Sequence, residues 1–96
     1  MTGFEKRVLL NALSIPRGKV TTYLSIAKSL GTRAARAVGQ ALSKNPYAPN
    51  VPCHRVIMSD GRIGGYSGGG GVKRKADLLR REGHGVCKGR IRVSNQ

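Results

Sequence analysis

A cysteine followed directly by a histidine, Cys53-His54, is the pair of side chains in this sequence best suited to carry chemistry. A thiolate is a strong nucleophile, and a neighbouring base or cation favours its formation. Adjacent side chains on an extended strand point to opposite faces, so the two can cooperate only if the chain turns after Pro52 or a water molecule lies between them. Taken alone, the dipeptide fits a second reading better, with Cys53 a small buried apolar residue and His54 a polar residue with its hydrogen bonds satisfied. Metal chemistry has little support: His84 and Cys87 form a loose i, i+3 pair with no second ligand motif, so no metal is expected.

The elements that must position these residues can be outlined from spacing and capping. Thr2 with Glu5 three residues later forms a capping box, and Phe4, Val8, Leu9, Ala12 and Leu13 recur behind it at helical spacing to about Ser14. Pro16, Arg17 and Gly18 make a turn, after which Thr22 caps a second helix carrying Tyr23, Leu24, Ile26, Ala27 and Leu30 and ending at Gly31. Thr32 is placed to cap a third helix over residues 33–44. This helix has Ala34, Val38 and Leu42 on one face and Arg33, Arg36, Gln40 and Lys44 roughly opposite. Two helices joined by the short Gly31-Thr32 link, the second basic and rich in alanine, resemble a helix-turn-helix. Ala35, Ala37, Gly39 and Ala41 would let that helix approach another surface closely. Gly39 lowers helix propensity by roughly 1 kcal/mol relative to alanine, so its position invites an explanation by contact.

Beyond the third helix, Asn45, Pro46, Pro49 and Pro52 break regular structure, and residues 55–58 predict a short strand turning at Asp60-Gly61 toward Arg62-Ile63. From Gly64 to Gly71 six of eight residues are glycine, which lets the backbone move or come close to a ligand. Val72, Ala76 and Leu79 mark a last helix stopped by Gly83, and a basic tail follows with Ile91 and Val93 alternating. The expected fold is mainly α with a small β-hairpin.

With 96 residues, the chain is expected to form one domain over 1–96. Eighteen Lys and Arg against four Asp and Glu give a formal charge of +14, which a polyanion would neutralise, so nucleic acid is the expected partner. Charge alone fits a basic ribosomal component as well. Two cysteines make no disulfide framework, and no run approaches the roughly 18 apolar residues of a membrane span. A soluble intracellular protein is expected, cytoplasmic in a prokaryote or nuclear in a eukaryote, acting as a monomer.

The segment Asn45-Pro46 followed by Val51-Pro52-Cys53-His54-Arg55-Val56 resembles the active-site signature of the O6-alkylguanine-DNA alkyltransferases. The resemblance extends in order over nearly the whole chain. It takes in Val20-Thr21-Thr22-Tyr23, the run Arg33-Ala34-Ala35-Arg36-Ala37-Val38-Gly39, the Cys53 motif, Gly64-Gly65-Tyr66-Ser67-Gly68 and Arg81-Glu82-Gly83-His84. It implies the catalytic domain of such a protein, a winged helix-turn-helix that enters the minor groove and flips the damaged nucleotide into a pocket. By the same resemblance Arg36 takes the flipped base's place in the stack, and Arg33, Ala35, Gly39 and Gln40 lie against DNA. Cys53 is the nucleophile, His54 accepts its proton through a water, and Glu82 orients His54. Tyr23 donates to the guanine ring as O6 leaves, work a phenol can do. The backbone carbonyls of Cys53 and Val56 accept from the exocyclic amine, Ser67 faces O6, Tyr66 walls the pocket with Gly68 beside it, and Asn45 ties the recognition helix to the active-site turn.

The activity so implied is a single irreversible transfer of an alkyl group from O6-alkylguanine in double-stranded DNA to Cys53, with no cofactor. The run Gly68 to Gly71 is richer in glycine than the resemblance leads one to expect. The family's common form also carries an N-terminal domain, so core support is expected from elsewhere. Two other readings stand beside this one. A non-transferring lesion-binding relative usually replaces the nucleophile by tryptophan, which this sequence lacks. A sequence-specific transcription regulator would use the helix-turn-helix but gives no reason for Cys53-His54 with Tyr23 and Glu82.

Overall fold

The computed structural model describes residues 2–44, 51–64 and 71–92. Four α-helices and two small sheets follow in the order α1 (Gly3–Leu13), β1 (Thr21–Thr22), α2 (Tyr23–Ser29), α3 (Ala35–Ser43), a one-turn 3-10 helix (Cys53–Arg55), β2 (Val56–Ile57), α4 (Gly71–Arg81), β3 (Gly85–Cys87) and β4 (Arg90–Arg92). The mainly helical expectation and the helix-turn-helix of α2 and α3 hold.

The starts of α1 and α2 follow the capping chemistry, and that of α3 does not. Thr2 Oγ1 accepts from the Glu5 amide at 3.1 Å while Glu5 Oε1 accepts from the Thr2 amide at 2.9 Å, the reciprocal box the sequence predicts. Thr22 Oγ1 accepts from the Ser25 amide at the start of α2. At α3, however, Thr32 Oγ1 takes the Ala34 amide at 3.2 Å and so shapes the turn rather than the helix, which begins two residues late behind Ala34 with no side-chain cap. Gly31, with φ +82°, closes α2.

The strand pattern departs from the expected hairpin over 55–63. Residues 53–55 form a 3-10 turn, and Val56-Ile57 pair in parallel with Thr21-Thr22. The turn expected at Asp60-Gly61 falls one residue earlier, at Ser59-Asp60, with the Met58 amide donating to the Arg62 carbonyl at 2.8 Å. Residues 61–63 continue not back onto β2 but onto the tail: Arg62 bridges Arg90, and the Ile91 amide donates to the Gly61 carbonyl. Among the described residues the antiparallel hairpin is therefore β3–β4.

Two buried clusters carry the packing. One gathers Val8, Leu9, Ala12, Ile26, Ala27, Val38, Ala41 and Leu42 from the first three helices, together with Ile15, Cys53 and Val56. The other joins Ile57, Ile63, Ala76, Leu79, Val86 and Ile91. Val56 and Ile57, consecutive in β2, belong one to each. On α4 the sequence pattern placed Val72 inward. It is 49% exposed, and Lys75 is fully buried in the helix face that carries Ala76 and Leu79. No helix of the described residues is long and apolar enough to cross a membrane.

Candidate functional site

Cys53 opens the 3-10 turn. Its amide donates to the Val51 carbonyl at 2.8 Å, the Arg55 amide to the Pro52 carbonyl at 3.0 Å, and the Val56 amide to the Cys53 carbonyl. This tight turn supplies what an extended Cys-His pair lacks, since the two side chains no longer alternate across a strand. Cys53 keeps only 5% of its surface and lines an open cleft of about 980 Å³. Tyr23 and Leu24 of α2 and Ala35, Arg36, Gly39 and Gln40 of α3 line it as well, with Met58, Ser59, Asp60 and Gly64 forming a further wall.

Behind the turn, His54 is 2% exposed, and its Nε2 lies 3.0 Å from Glu82 Oε2. Burial would raise the Glu82 carboxyl, but hydrogen bonds from Arg55 and His54 outweigh it and hold the acid at about 2. An ionised Glu82 accepts, so Nε2 carries the imidazole hydrogen and Nδ1 the lone pair. Nδ1 is buried with no hydrogen-bond partner among the described residues. Burial also pulls His54 below its ordinary 6.5, against the pull of Glu82, so the ring is neutral at pH 7 and its Nδ1 can accept a proton.

Arg55 fixes this pair in place. Its Nη2 donates to Glu82 Oε2 at 2.7 Å and its Nε to Oε1 at 2.9 Å, a forked grip on the carboxylate, while Nη1 donates to the Ile15 carbonyl after α1 at 2.8 Å. Glu82 itself sits in the turn that ends α4, where Gly83 has φ +95°.

Two further residues belong to the site. Lys75 Nζ donates to the Val56 carbonyl at 2.8 Å and to Tyr23 Oη at 3.2 Å, and it stands 5.6 Å from the Tyr23 ring centre. Burial pulls this ammonium down to about 8, opposed by the nearby Cys53, and the same burial raises the Tyr23 phenol. Gly64 has φ +72°, and a Cβ there would stand 3.2 Å from Tyr23 Oη. Its conformation and its closeness to the phenol both call for glycine. Sequence reasoning missed Lys75 as a site residue because a lysine among Lys73, Arg74, Arg80 and Arg81 has the look of a solvated helix face. The one signal was position: it precedes the buried Ala76 and lies four residues before the buried Leu79.

Of the predicted site residues, Cys53, Tyr23, Arg36, Ala35, Gly39 and Gln40 meet at the cleft, and His54 and Glu82 stand behind Cys53. Arg33 does not join them; it borders a separate hollow with Lys28, Gly31 and Thr32. The Val56 side chain is fully buried, and its carbonyl, expected to be open to a ligand, already accepts from Lys75; a carbonyl's second lone pair can still serve. Asn45, Tyr66, Ser67 and Gly68 lie outside the described residues. A Cβ on Gly39 would meet only the Tyr23 ring, at an ordinary 3.9 Å, so no crowding within the chain demands glycine there. Among the described residues no three His, Cys, Asp or Glu side chains gather as metal ligands.

Comparison with known proteins adds a family to this geometry. A methylated-DNA--protein-cysteine methyltransferase of Saccharolobus islandicus is 56% identical over 80 residues, which are 83% of this chain and 50% of that protein. The crystal structure of Mycobacterium tuberculosis OGT in complex with DNA superposes with a TM-score of 0.80 at 48% identity, covering 85% of this chain and 50% of that one. Schizosaccharomyces pombe Atl1, in complex with damaged DNA containing O6-carboxymethylguanine, gives a TM-score of 0.82 at 36% identity, covering 98% of this chain and 91% of that one. The chain spans about half the length of the curated relatives it matches. Residues 3–84 match the family model described as 6-O-methylguanine DNA methyltransferase, DNA binding domain, and the chain belongs to that family.

Proposed function

We propose that this chain repairs DNA by taking the alkyl group from O6 of guanine onto its own Cys53, once per molecule. The observation that carries the reading is the arrangement around Cys53: a buried thiol lining an open cleft, followed by a neutral histidine whose Nε2 is held by an ionised carboxylate.

In this reading, double-stranded DNA lies against α3 and the damaged nucleotide turns out of the stack into the cleft. Flipping costs a few kcal/mol, offset by contacts in the pocket and by phosphate attraction to the basic surface. Arg36, exposed on α3 and lining the cleft, fills the gap left in the duplex. The absence of crowding at Gly39 suits a face that approaches another surface. His54 Nδ1 takes the Cys53 proton through a bridging water, and Glu82 stabilises the imidazolium that forms. The thiolate attacks the alkyl carbon, a carbon–sulfur bond forms, the carbon–O6 bond breaks, and its electron pair stays on the guanine. Tyr23 donates a hydrogen bond, or its proton, to the ring as that charge develops. The product is a thioether, which water does not cleave, so each molecule reacts once. No step requires a cofactor, and one copy of the chain suffices.

The second reading, a lesion-binding protein that transfers nothing, has one observation in its favour: this chain covers 91% of Atl1 but about half of the curated relatives. Intact-mass measurement after incubation with an O6-methylguanine duplex separates the two. Addition of one methyl group per molecule, mapped to Cys53 and absent in Cys53→Ala, is the expected result. Tight binding of the duplex with unchanged mass would establish the second reading instead.

A further inference from the structure

The β3–β4 hairpin lies beyond residues 3–84 matched by the family model, yet it is firmly held. Val86 and Ile91 are buried against Ile57, Ile63, Ala76 and Leu79. The Ile63 amide donates to the Gly89 carbonyl at 2.9 Å and Arg90 Nη1 to the Asp60 carbonyl at 2.9 Å, so the hairpin is bonded to the 58–64 segment that walls the cleft.

Two features of this hairpin keep positive charge on it, and the first does so at a cost in stability. Its turn has two consecutive residues of positive φ, Lys88 at +54° and Gly89 at +74°, the arrangement of a tight hairpin turn that favours Asn-Gly or Asp-Gly. A lysine in that conformation costs roughly 1 kcal/mol or more. Next to it, Arg90 faces Arg62 across an antiparallel bridge, and the single Asp60 carboxylate, which attracts both, leaves the pair with a net positive charge. Asp60, which holds Arg62 at 2.8 Å, is the acid of this face, against the exposed Arg62, Lys88 and Arg90. Residues that weaken a fold where a neutral alternative would strengthen it point to a function served elsewhere.

We infer that the β3–β4 hairpin, with Arg62 beside it, is a second contact for the DNA backbone, taking phosphates of the strand whose nucleotide enters the cleft. The inference deepens the proposed function and rests on it in taking duplex DNA as the ligand. A strand that delivers a nucleotide between α3 and the 58–64 wall has to pass over that wall, and the cationic turn is bonded to it. The hairpin carries no information on the lesion, so its contribution is the same for damaged and undamaged duplex.

The test is equilibrium binding of the full chain to undamaged duplex between 50 and 200 mM salt, comparing the unmodified protein with Lys88→Asn and with Lys88→Asn/Arg90→Thr. Asparagine suits the turn, so thermal stability of Lys88→Asn is expected to hold or rise, whereas Arg90→Thr also gives up the Arg90 Nη1 bond to the Asp60 carbonyl and is expected to lower it slightly; affinity falls roughly five- to tenfold per lost contact near 0.1 M salt. The slope of log K against log salt should become shallower by about 0.9 for each phosphate released. Reaction of Lys88→Asn with free O6-benzylguanine, which has no phosphate, should be unchanged. Unchanged affinity and slope would overturn the inference. So would an equal loss on neutralising Lys6 and Arg7 of α1, a helix that contributes nothing to the cleft lining, because bulk charge would then explain both. If the unmodified protein bound duplex but methylated no Cys53, the transfer reading would fail while the hairpin contact could still be measured.

Discussion

Replacing Lys75 by methionine should leave the protein as stable as before, or more so, while slowing its chemistry. The ammonium is fully buried, and burial lowers it from an ordinary 10.5 to about 8. That fall corresponds to about 3 kcal/mol spent at pH 7 to keep the charge where it is. Methionine has a similar reach and no charge, and removes this cost. It also strips the Val56 carbonyl and Tyr23 Oη of a donor, which costs about 1–3 kcal/mol for a buried acceptor. The two nearly cancel, leaving a net gain between about 0 and 2 kcal/mol, or a melting temperature unchanged to roughly 10 °C higher for a domain of this size. The pH dependence carries the sign. Between about 8 and 10.5 the folded chain has released a proton that the unfolded chain still holds, so the unmodified protein gains stability as pH rises and the variant does not. Function moves the other way. An ammonium can only donate, so by donating to Tyr23 Oη it leaves the phenolic hydrogen to point elsewhere, as a donor to a base in the cleft requires. Loss of that bias should slow transfer by roughly tenfold, the value of one hydrogen bond. Thermal melts at pH 7 and pH 9.5, with single-turnover transfer rates, read all of this. A variant destabilised by more than about 2 kcal/mol at pH 7, with the same gain in stability toward pH 9.5 as the unmodified protein, would refute the reasoning.

The other predictions address separate groups. Arg36→Ala should change stability by less than about 0.5 kcal/mol, because the side chain is exposed, and should cut transfer from duplex far more than transfer from free O6-benzylguanine; equal losses on both would remove Arg36 from base flipping. Gly64→Ala should cost about 1–2 kcal/mol in denaturant unfolding and slow transfer, since the new Cβ is strained by φ +72° and crowds Tyr23 Oη at 3.2 Å. With His54 held below 6.5 by burial, the transfer rate should persist to lower pH than an ordinary imidazole allows, and stability should fall as pH drops below 6.5 because the unfolded chain takes up the proton first. Glu82, held at about 2, adds stability that is full above 4.5 and lost toward pH 2; Glu82→Gln should remove that part of the acid unfolding profile and slow transfer.

The parts of the fold that were legible in sequence are those fixed by local chemistry. Thr2 with Glu5 and Thr22 with Ser25 cap helices through bonds spanning three residues, and short-range patterns express such bonds directly. Cys53-His54 was legible as a pair but not as a geometry, because the 3-10 turn that brings them into use depends on Val51 and Pro52 carbonyls and on burial against α1 and α4. The parallel pairing of Thr21-Thr22 with Val56-Ile57 joins two-residue strands 35 positions apart, too short for periodicity and set by packing alone. Thr32 misled because a threonine can close a turn on its own neighbour as readily as cap a helix. Lys75 misled for a related reason: its burial depends on Tyr23 and Val56, 52 and 19 residues away, and nothing adjacent to it announces them.

These long-range bonds also explain how the candidate site is held. Cys53 and Val56 pack with the three-helix cluster, whereas Ile57 packs with α4 and the β3–β4 hairpin, so the turn that presents the thiol is anchored on both sides. Arg55 repeats the arrangement in polar form by joining the end of α1 to Glu82 after α4, and Lys75 does so again by joining α4 to β2 and α2. A loosening of either cluster would therefore shift Cys53 relative to His54 or Tyr23 relative to the cleft. Val86 and Ile91 lie beyond residues 3–84, which the family model matches, and they complete the second cluster. Their burial, worth roughly 1.5–3 kcal/mol for each side chain, is part of what keeps Glu82 within 3.0 Å of His54. On this account the hairpin serves the chemistry twice, from beneath by closing the core under α4 and from outside by offering its charged turn to the backbone of the DNA.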